Sequence, residues 1–533
     1  MLRDLLYGAR NLRSSPAFAV AAILTLALGI GASTAIFSVA NAVLLQPLPY
    51  QDPGRLVYVC SDMLKRNVYD HFWSDADFLD LRSHSTSVFE DAAAVLSRRV
   101  GLLNSDGVPD EIGFAAVTPN LFRLLGIRIV LGRDFIESDG LPQPAGVNGA
   151  PPAPDQRLPT MAIVGYGFFQ RRFGGNPAAL GEPIVKNGPI LVGVTAPGAE
   201  LLFRPDRNME RSPDLWVAAR LNPGAPRVSI AWRVIARLRR GVSVRRAQAQ
   251  TDAVAEQCRA ADNINRTAGL SFRVEPMHEY LVAQVRPAIL ALMGAAVFLL
   301  LIACSNVANL FLVRSSLRSR DLAVRTAMCA SWWRLARQML AEALLAAALG
   351  SIAGFGLAWA GIRELLAIAP GNLPRLNAVA IDPAVLAFTM AAGALAAVLF
   401  GLMPALRAAR PDVAQVLRAS GRAAGLTGGA LLRNCVVVAE VALCFVMLVG
   451  SGLMLRSFIA LQRIDPGFDP RGVLTFRGLG GKPASTPEAR QAAVRQMRDA
   501  LAAVPGVESV TAASEMPLNG EFFPYRWGKE DAL

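Results

Sequence analysis

Five stretches of this 533-residue chain carry almost no charge, and they divide the rest of it into polar segments. No Asp, Glu, Lys or Arg lies between Arg13 and Asp52, from Pro287 to Val313, from Ala343 to Ile362, or from Pro383 to Leu406. In a fifth run, Asn434 to Leu455, only Glu440 interrupts. Each run is long enough to cross about 30 Å of hydrocarbon at about 1.5 Å per helical residue. Trimmed at Pro, Gly and polar edges, they predict membrane helices over 18–42, 288–312, 339–362, 384–403 and 434–455. Arg3, Arg10 and Arg13 before the first run, and Ala40-Asn41-Ala42 near its end, resemble a signal peptide. The run is too long for a signal core of roughly 7–15 residues, so it reads as an uncleaved anchor.

Arginine placement orients these helices, because short loops rich in Arg and Lys stay in the cytoplasm. Fourteen Arg residues cluster in residues 1–17 (Arg3, Arg10, Arg13), after the second helix (Arg314, Arg318, Arg320, Arg325, Arg334, Arg337) and in the 404–433 loop (Arg407, Arg410, Arg418, Arg422, Arg433). The loop between helices three and four has only Arg363 and Arg375. The expected layout is a cytoplasmic N-terminus, five crossings, and two outer polar regions, 46–287 and 457–533.

The first outer region reads as mixed α/β. Leu56–Val59, Met161–Val164, Ile190–Val194 and Trp232–Leu238 are short, β-branched strand candidates, and Ser74–Ser83 and Ser243–Cys258 have helical patterning with Ser243 as N-cap. Gly140–Pro159, dense in Pro and Gly, predicts a surface loop. The fold class expected is an α-helical membrane protein with extracytoplasmic α/β domains.

Composition agrees with the spans. Apolar residues reach about 60% when Gly is counted and Tyr left out, against roughly 45–50% in soluble domains, and charged residues are 18%. A net charge of +13 would ordinarily raise nucleic acid, but only four of the 54 basic residues are Lys, and many Arg residues flank apolar runs. That is a topology signal rather than a phosphate-binding groove, and no nucleic-acid partner is expected.

Little in the sequence encodes chemistry. The six cysteines (60, 258, 304, 329, 435, 444) form no C-x-x-C pair, His71, His84 and His278 are scattered, and no metal site or cofactor is expected. A Cys60–Cys258 disulfide is open if both lie outside the cytoplasm. No catalytic residue, and hence no enzyme, is expected: there is no G-x-S-x-G elbow, and Gly480-Gly481-Lys482 is followed by Pro483 and lacks the first Gly of a phosphate loop. Within the spans, Glu342 stands at the start of helix three, and Glu440, able to snorkel or pair with Arg433, is the one intramembrane polar candidate for function. Gly350 and Gly354 form a G-x-x-x-G helix-packing candidate, followed by Gly356. The segment Arg314–Arg337 alternates Arg with apolar residues and bears Trp332 and Trp333. Composition leaves it either an interfacial anchor or a docking helix for a cytoplasmic partner.

An internal repeat is visible. Gly29, Gly31 and Phe37 recur as Gly450, Gly452 and Phe458, and Asp52-Pro53 as Asp469-Pro470; each copy reads span, exit, turn, then a strand, Leu56–Val59 or Val473–Phe476. The layout is span, outer domain, three spans, and the same unit restarting. On that reading 457–533 is the start of a second core domain, cut short at Glu530-Asp531-Ala532-Leu533.

Arg10-Asn11-Leu12-Arg13, Ser15-Pro16-Ala17-Phe18, Leu48-Pro49-Tyr50 and Asp52-Pro53-Gly54-Arg55-Leu56 resemble the opening of the acidobacterial duplicated-permease family, within the MacB/FtsX-type ABC transporter permeases. Thr118–Phe122 with Leu125-Gly126, Leu131-Gly132-Arg133, Arg172–Gly175 and Ala236-Arg237-Leu238 with Gly241 are similar to that class's MacB-like core domain, here 46–287. Arg320–Glu342, with Arg325, Gln338 and Glu342, resembles its cytoplasmic coupling region within an FtsX-like permease domain over 288–403, and Arg433-Asn434 with Glu440 resembles the start of the second half. Met328-Cys329 and Trp332-Trp333 depart from the family's Leu-Gly and small-plus-basic pairs, and Lys186–Val194 looks shortened.

The resemblance implies the permease subunit of an ABC transporter in the inner membrane, serving export or mechanotransmission. A separate cytoplasmic ATPase would dock at Arg325, Trp332 and Trp333. Membrane lipid is a further partner, and an adaptor or outer-membrane channel another. The alternative is a non-transporting FtsX-like scaffold that regulates an extracytoplasmic enzyme.

Overall fold

The computed structural model describes residues 2–103, 109–144, 156–185, 188–204, 209–317, 332–368, 379, 381–408, 427–467, 469, 471–475 and 486–512. The chain divides into two units, residues 1–46 with 284–473 and residues 47–283 with 474–533, each described by itself.

The chain opens with a helix that the charge pattern had left as a tail, α1 (Leu2–Arg13). Leu2, Leu5, Leu6, Ala9 and Leu12 recur at helical spacing, and Leu12 is buried. Ser14 and Ser15 break it, and Pro16, whose missing N–H costs nothing in a first turn, starts α2 (Pro16–Ala40). The helix continues into a π-helical turn over Asn41–Leu45, so this first span is longer than 18–42.

In the outer unit eleven strands form one sheet: β1 (Leu56–Met63), β2 (Val68–His71), β3 (Trp73–Ser74), β4 (Phe89–Leu103), β5 (Pro109–Val117), β6 (Ile129–Gly132), β7 (Met161–Val164), β8 (Ile190–Thr195), β9 (Leu215–Ala218), β10 (Ile230–Leu238) and β11 (Leu270–Pro276). The order is β11-β1-β10-β4-β5-β9-β7-β8-β6, with β2 beside β1 and β3 beside β10. Among the described strands, only β5–β9 and β7–β8 are parallel. The helices are α3 (Asp75–His84), α4 (Leu121–Leu125), α5 (Tyr166–Phe173), α6 (Val244–Ala261), α7 (Asn263–Ala268) and α8 (Met277–Val282). Ser243 caps α6, its Oγ accepting from the Arg246 N–H at 3.3 Å.

Strand alternation sorts the core into two faces. Val57, Val59, Val234, Ala236 and Phe272 join Phe78 and Leu81 of α3 and Val254 of α6 in one cluster. The intervening Tyr58 points the other way and meets Tyr280 of α8, ring centroids 4.4 Å apart, and Phe203 at 5.5 Å. The β4–β5 hairpin escapes sequence reading because Ala92, Ala93 and Ala94 carry no strand preference; pairing with β10 imposes the strand.

The chain then re-enters the first unit as α9 (Arg286–Leu317), α10 (Trp332–Ile368), α11 (Pro383–Ala408) and α12 (Thr427–Gln462). Among the described residues, four helical stretches are long and apolar enough to cross a membrane: Pro16–Leu45, Arg286–Phe311, Arg337–Ala367 and Val437–Gln462; α11 adds a shorter apolar stretch, Pro383–Val398. The helices outrun the predicted 288–312, 339–362, 384–403 and 434–455, because charge ends an apolar run without ending a helix, and Arg is a good helix former. The 404–433 loop is correspondingly shorter, and of it residues 409–426 lie outside the described residues. The bundle core is alanine-rich: Ala22, Leu26, Ile30, Cys304, Val307, Phe311, Ala343, Ala346, Ala347, Ala396 and Ala397. Such small side chains let backbones approach where lipid offers no hydrophobic contrast.

The predicted strand Val473–Phe476 is corrected in part. Val473 to Thr475 are not strand, and Phe476 lies outside the described residues. A strand needs a pairing partner, and no described residue pairs with this one. A short helix, α13 (Pro487–Ala502), follows, capped by Thr486.

Candidate coupling site

The segment resembling the coupling region is framed by two helices. Arg325 lies outside the described residues, and Trp332 and Trp333 open α10, where the backbone alone is described. At the α9 end, Arg314 donates through Nη2 to the Asn11 carbonyl (2.7 Å) and to Ser15 Oγ (3.2 Å). Its guanidinium lies over the Phe18 ring, 4.3 Å from the centroid, and Phe18 meets Phe311 edge-on at 5.1 Å. At the α10 end, the Asn11 side-chain amide donates to the Glu342 carboxylate, which is buried.

Gly350 and Gly354 lie against α2. A Cβ added at Gly350 would stand 2.7 Å from Leu26 Cβ, and one at Gly354 would stand 2.9 Å from the Ala27 oxygen and 3.0 Å from the Gly31 nitrogen. Gly31 is the reciprocal partner, its added Cβ falling 2.8 Å from the Gly354 oxygen. Gly356 meets nothing within 4 Å. Across the same bundle Thr34 and Thr389 share a hydrogen bond (3.1 Å), Ser33 donates to the Ala296 carbonyl (3.1 Å), and Asn41 and Gln46 both donate to Asp382, which caps α11. Glu440 on α12 accepts from Ser305 of α9 at 3.4 Å, a partner that sequence reading did not name.

In the outer unit the candidate chemistry resolves into ion pairs. Asp77 and Asp80 converge on Arg227, at 2.6 Å for Asp80, with Cys258 Sγ 3.8 Å from Asp80. Asp77, Asp80 and Cys258 stand close enough to hold a metal, but the guanidinium already supplies the cation there. Cys60 and Cys258 are separate free thiols, so the open disulfide is not formed; burial pushes the Cys258 thiol up to about 12 and Cys60 higher.

His71 is buried, with Nδ1 2.9 Å from the Phe72 carbonyl and Nε2 without a hydrogen-bond partner. Burial first, then the charges of Arg233 and Arg66, hold its pKa below the ordinary 6.5, against the hydrogen bond to Phe72 and the charge of Asp70. The unfolded chain therefore binds the proton more readily than the folded one, and stability falls as pH drops below about 6.5. Urea titrations of the full chain at pH 7.5 and 5.0 should show this loss in the outer unit, and His71→Gln should flatten it; an unchanged slope would exclude His71 as its source.

Residues 19–254 match the family described as MacB-like periplasmic core domain, and residues 293–413 match the FtsX-like permease C-terminal family. The chain belongs to the MacB/FtsX-type ABC permeases. With these families and its apolar helices, the permease is a multi-pass membrane protein with an extracytoplasmic α/β domain. Permeases of this family work with an ABC ATPase. Among solved structures, the permease is similar to the periplasmic region of MacB from Actinobacillus actinomycetemcomitans (12% identity, 48% of this chain and 97% of that chain, TM-score 0.28). It is also similar to the extracellular domain of the noncanonic ABC-type transporter YknZ from Gram-positive bacteria (11% identity, 41% and 99%, TM-score 0.26). No curated protein matches the chain.

The permease also gathers sequence-distant signature residues around Arg237. This buried guanidinium donates to the Gln51 carbonyl (2.7 Å) and to the Leu124 carbonyl. Gln51 N–H donates in turn to Leu125 (2.9 Å), and Gly126, at φ +74°, leaves no room for a Cβ beside Gln51. Tyr50 OH donates to the Glu200 carbonyl at 2.8 Å and accepts from Leu202 N–H at 3.1 Å. Arg237 of the Ala236–Leu238 motif thus joins Gln51, between the Leu48–Tyr50 and Asp52–Leu56 motifs, to Leu124, which precedes the Leu125-Gly126 pair.

Proposed function

We propose that this permease is the membrane subunit of an export or mechanotransmission ABC transporter of the inner membrane, in which a separate cytoplasmic ATPase docks on the 314–337 segment. The observation that carries the reading is the union, in one chain, of a MacB-like core domain and an FtsX-like permease domain. Arginine placement supports a cytoplasmic N-terminus and five crossings, which sets both ends of the coupling segment inside. The sparse ionisable groups of the spans favour transmitted motion over an ion-coupled path through them. Residues 457–533 are the start of a second core domain in this reading.

Arg325, Trp332 and Trp333 are the docking residues, since aromatic and Arg side chains dominate interface energy, at about 2 kcal/mol or more for a hot spot. Membrane lipid surrounds the spans, and an adaptor or outer-membrane channel completes the exporter. Replacing Trp332 and Trp333 together by Ala should leave insertion and abundance intact and abolish co-purification with the cognate ABC ATPase. Retention of that ATPase at wild-type stoichiometry, or failure by misinsertion, would make the segment an interfacial anchor. Retained ATPase binding without substrate movement would favour an FtsX-like scaffold that regulates an extracytoplasmic enzyme.

A further inference from the structure

The two helices that flank the 314–337 segment, α9 at Arg314 and α10 at Glu342, both meet α1. Asn11 takes α9 by its backbone and α10 by its side chain, accepting from Arg314 at its carbonyl and donating through its amide to Glu342. Arg314 extends the same grip into α2 through Ser15 Oγ and the face of Phe18, and Phe311 packs edge-on against Phe18 one turn away. The α1 backbone lies directly on the Glu342 turn, since a Cβ added at Gly8 would stand 3.4 Å from Glu342 Cγ. Leu12, buried beside Asn11, keeps α1 from lifting away.

We propose that α1 is a tie that fastens the two helices flanking the coupling segment, α9 and α10, to the first span, with Asn11 as its positioning residue. The inference rests on the docking reading above for the source of the force. Its physical basis is the number and kind of contacts. Hydrogen bonds to ionised partners are about twice as strong as neutral ones, and here one carboxylate and one guanidinium act on a single residue. A displacement of the segment by a docked partner then shifts α9, α10 and α1 together. Arg314 also holds Ser15, at the break between α1 and α2, and Phe18 beyond it, so the shift reaches α2 through those contacts as well as through α1.

The pair can be tested by exchanging its polarity. Asn11→Asp places two carboxylates in contact and should release α1, whereas Asn11→Asp with Glu342→Gln restores a hydrogen bond with donor and acceptor swapped. In full-length permease in lipid nanodiscs without any ATPase, amides of α1 should exchange about tenfold or more faster in Asn11→Asp, the scale of a lost charge-assisted hydrogen bond. They should return to near wild type in the double variant. With the cognate ABC ATPase bound, Asn11→Asp should keep its stoichiometry yet lose the ATP-dependent change in α2 exchange, and the double variant should regain it. Wild-type α1 protection in Asn11→Asp, or no recovery in the double variant, would overturn the tie. If wild-type permease fails to retain the ATPase, the docking reading fails, and the partner-free measurement still decides the tie.

Discussion

Replacing Asp70 by alanine is expected to destabilise the outer unit by about 3–5 kcal/mol, the cost of leaving a buried charge without its partner. Asp70 and Arg233 form an ion pair at 2.7 Å, with side-chain exposures of 4% and 7%, so little solvent is available to take over either charge. The Asp70 carboxylate also accepts from Tyr280 OH, and its N–H donates to Asp62 Oδ1 at 2.7 Å. Asp62 in turn holds Arg273 at 2.9 Å, so the loss spreads along a chain of groups joining β1, β2, β10, β11 and α8. Asp70 has a left-handed backbone, φ +55°, which Asp and Asn tolerate better than Ala, so alanine adds strain to the lost pair. Asp70→Asn separates the two effects: it keeps the backbone preference and the bond from Tyr280 while removing the charge. Asp70→Asn combined with Arg233→Met should recover most of the loss, because removing both charges also removes the desolvation penalty. Urea unfolding of the full chain, followed by proteolysis of the outer unit, measures all three. Single variants within about 1 kcal/mol of wild type would show that water reaches Arg233 and that the pair is not effectively buried.

The second large effect is expected in the membrane bundle. Gly354→Ala should cost about 1–3 kcal/mol and Gly354→Val more, because the added carbon meets backbone rather than a side chain that can swing aside. The Ala27 oxygen and Gly31 nitrogen stand 2.9 and 3.0 Å from that carbon, so α2 and α10 must separate along their whole contact. Gly31→Ala should have the same consequence from the other helix, since its carbon meets the Gly354 oxygen at 2.8 Å. Gly356 is the internal control. It shares the helix and the residue type but meets nothing within 4 Å, so Gly356→Ala should stay within about 0.5 kcal/mol of wild type or gain slightly from helix propensity. Thermal stability of the purified permease in one detergent ranks the variants. Equal losses for Gly354→Ala and Gly356→Ala would show that propensity, not the α2–α10 contact, governs these positions.

The charge-free runs coincide with the long apolar helices because an ionised side chain at the bilayer centre is costly, a constraint local to each segment. For the same reason Ser243 was legible as the α6 cap, and Leu56, Met161 and Ile190 as strand starts: N-caps, β-branched runs and turn residues act within a few positions of themselves. Local signals also carried the family resemblance, whose quoted motifs span both matched regions.

What the sequence could not decide is which of these local pieces meet. Helix α1 was readable in Leu2, Leu5, Leu6 and Leu12 only once periodicity was weighed above its three arginines; its contact with Glu342 joins residues 331 positions apart. Gly350, Gly354 and Gly356 are equivalent as letters, and the rotation of α10 against α2 alone sets the first two at the contact and leaves Gly356 open. The alanines of β4 would suit a helix in isolation, and pairing with β10 and β5 makes them a strand. Asp70, Arg233 and Tyr280 look like ordinary surface and aromatic residues in the sequence, because burial is a property of the assembled sheet. Sequence by itself therefore determined the apolar helices, several strands and caps, and the family, which depend on short-range solvation and backbone preference. Tertiary structure decided the tie at Asn11, the α2–α10 contact and the buried ion pairs, because their energies depend on distances between residues far apart in the chain.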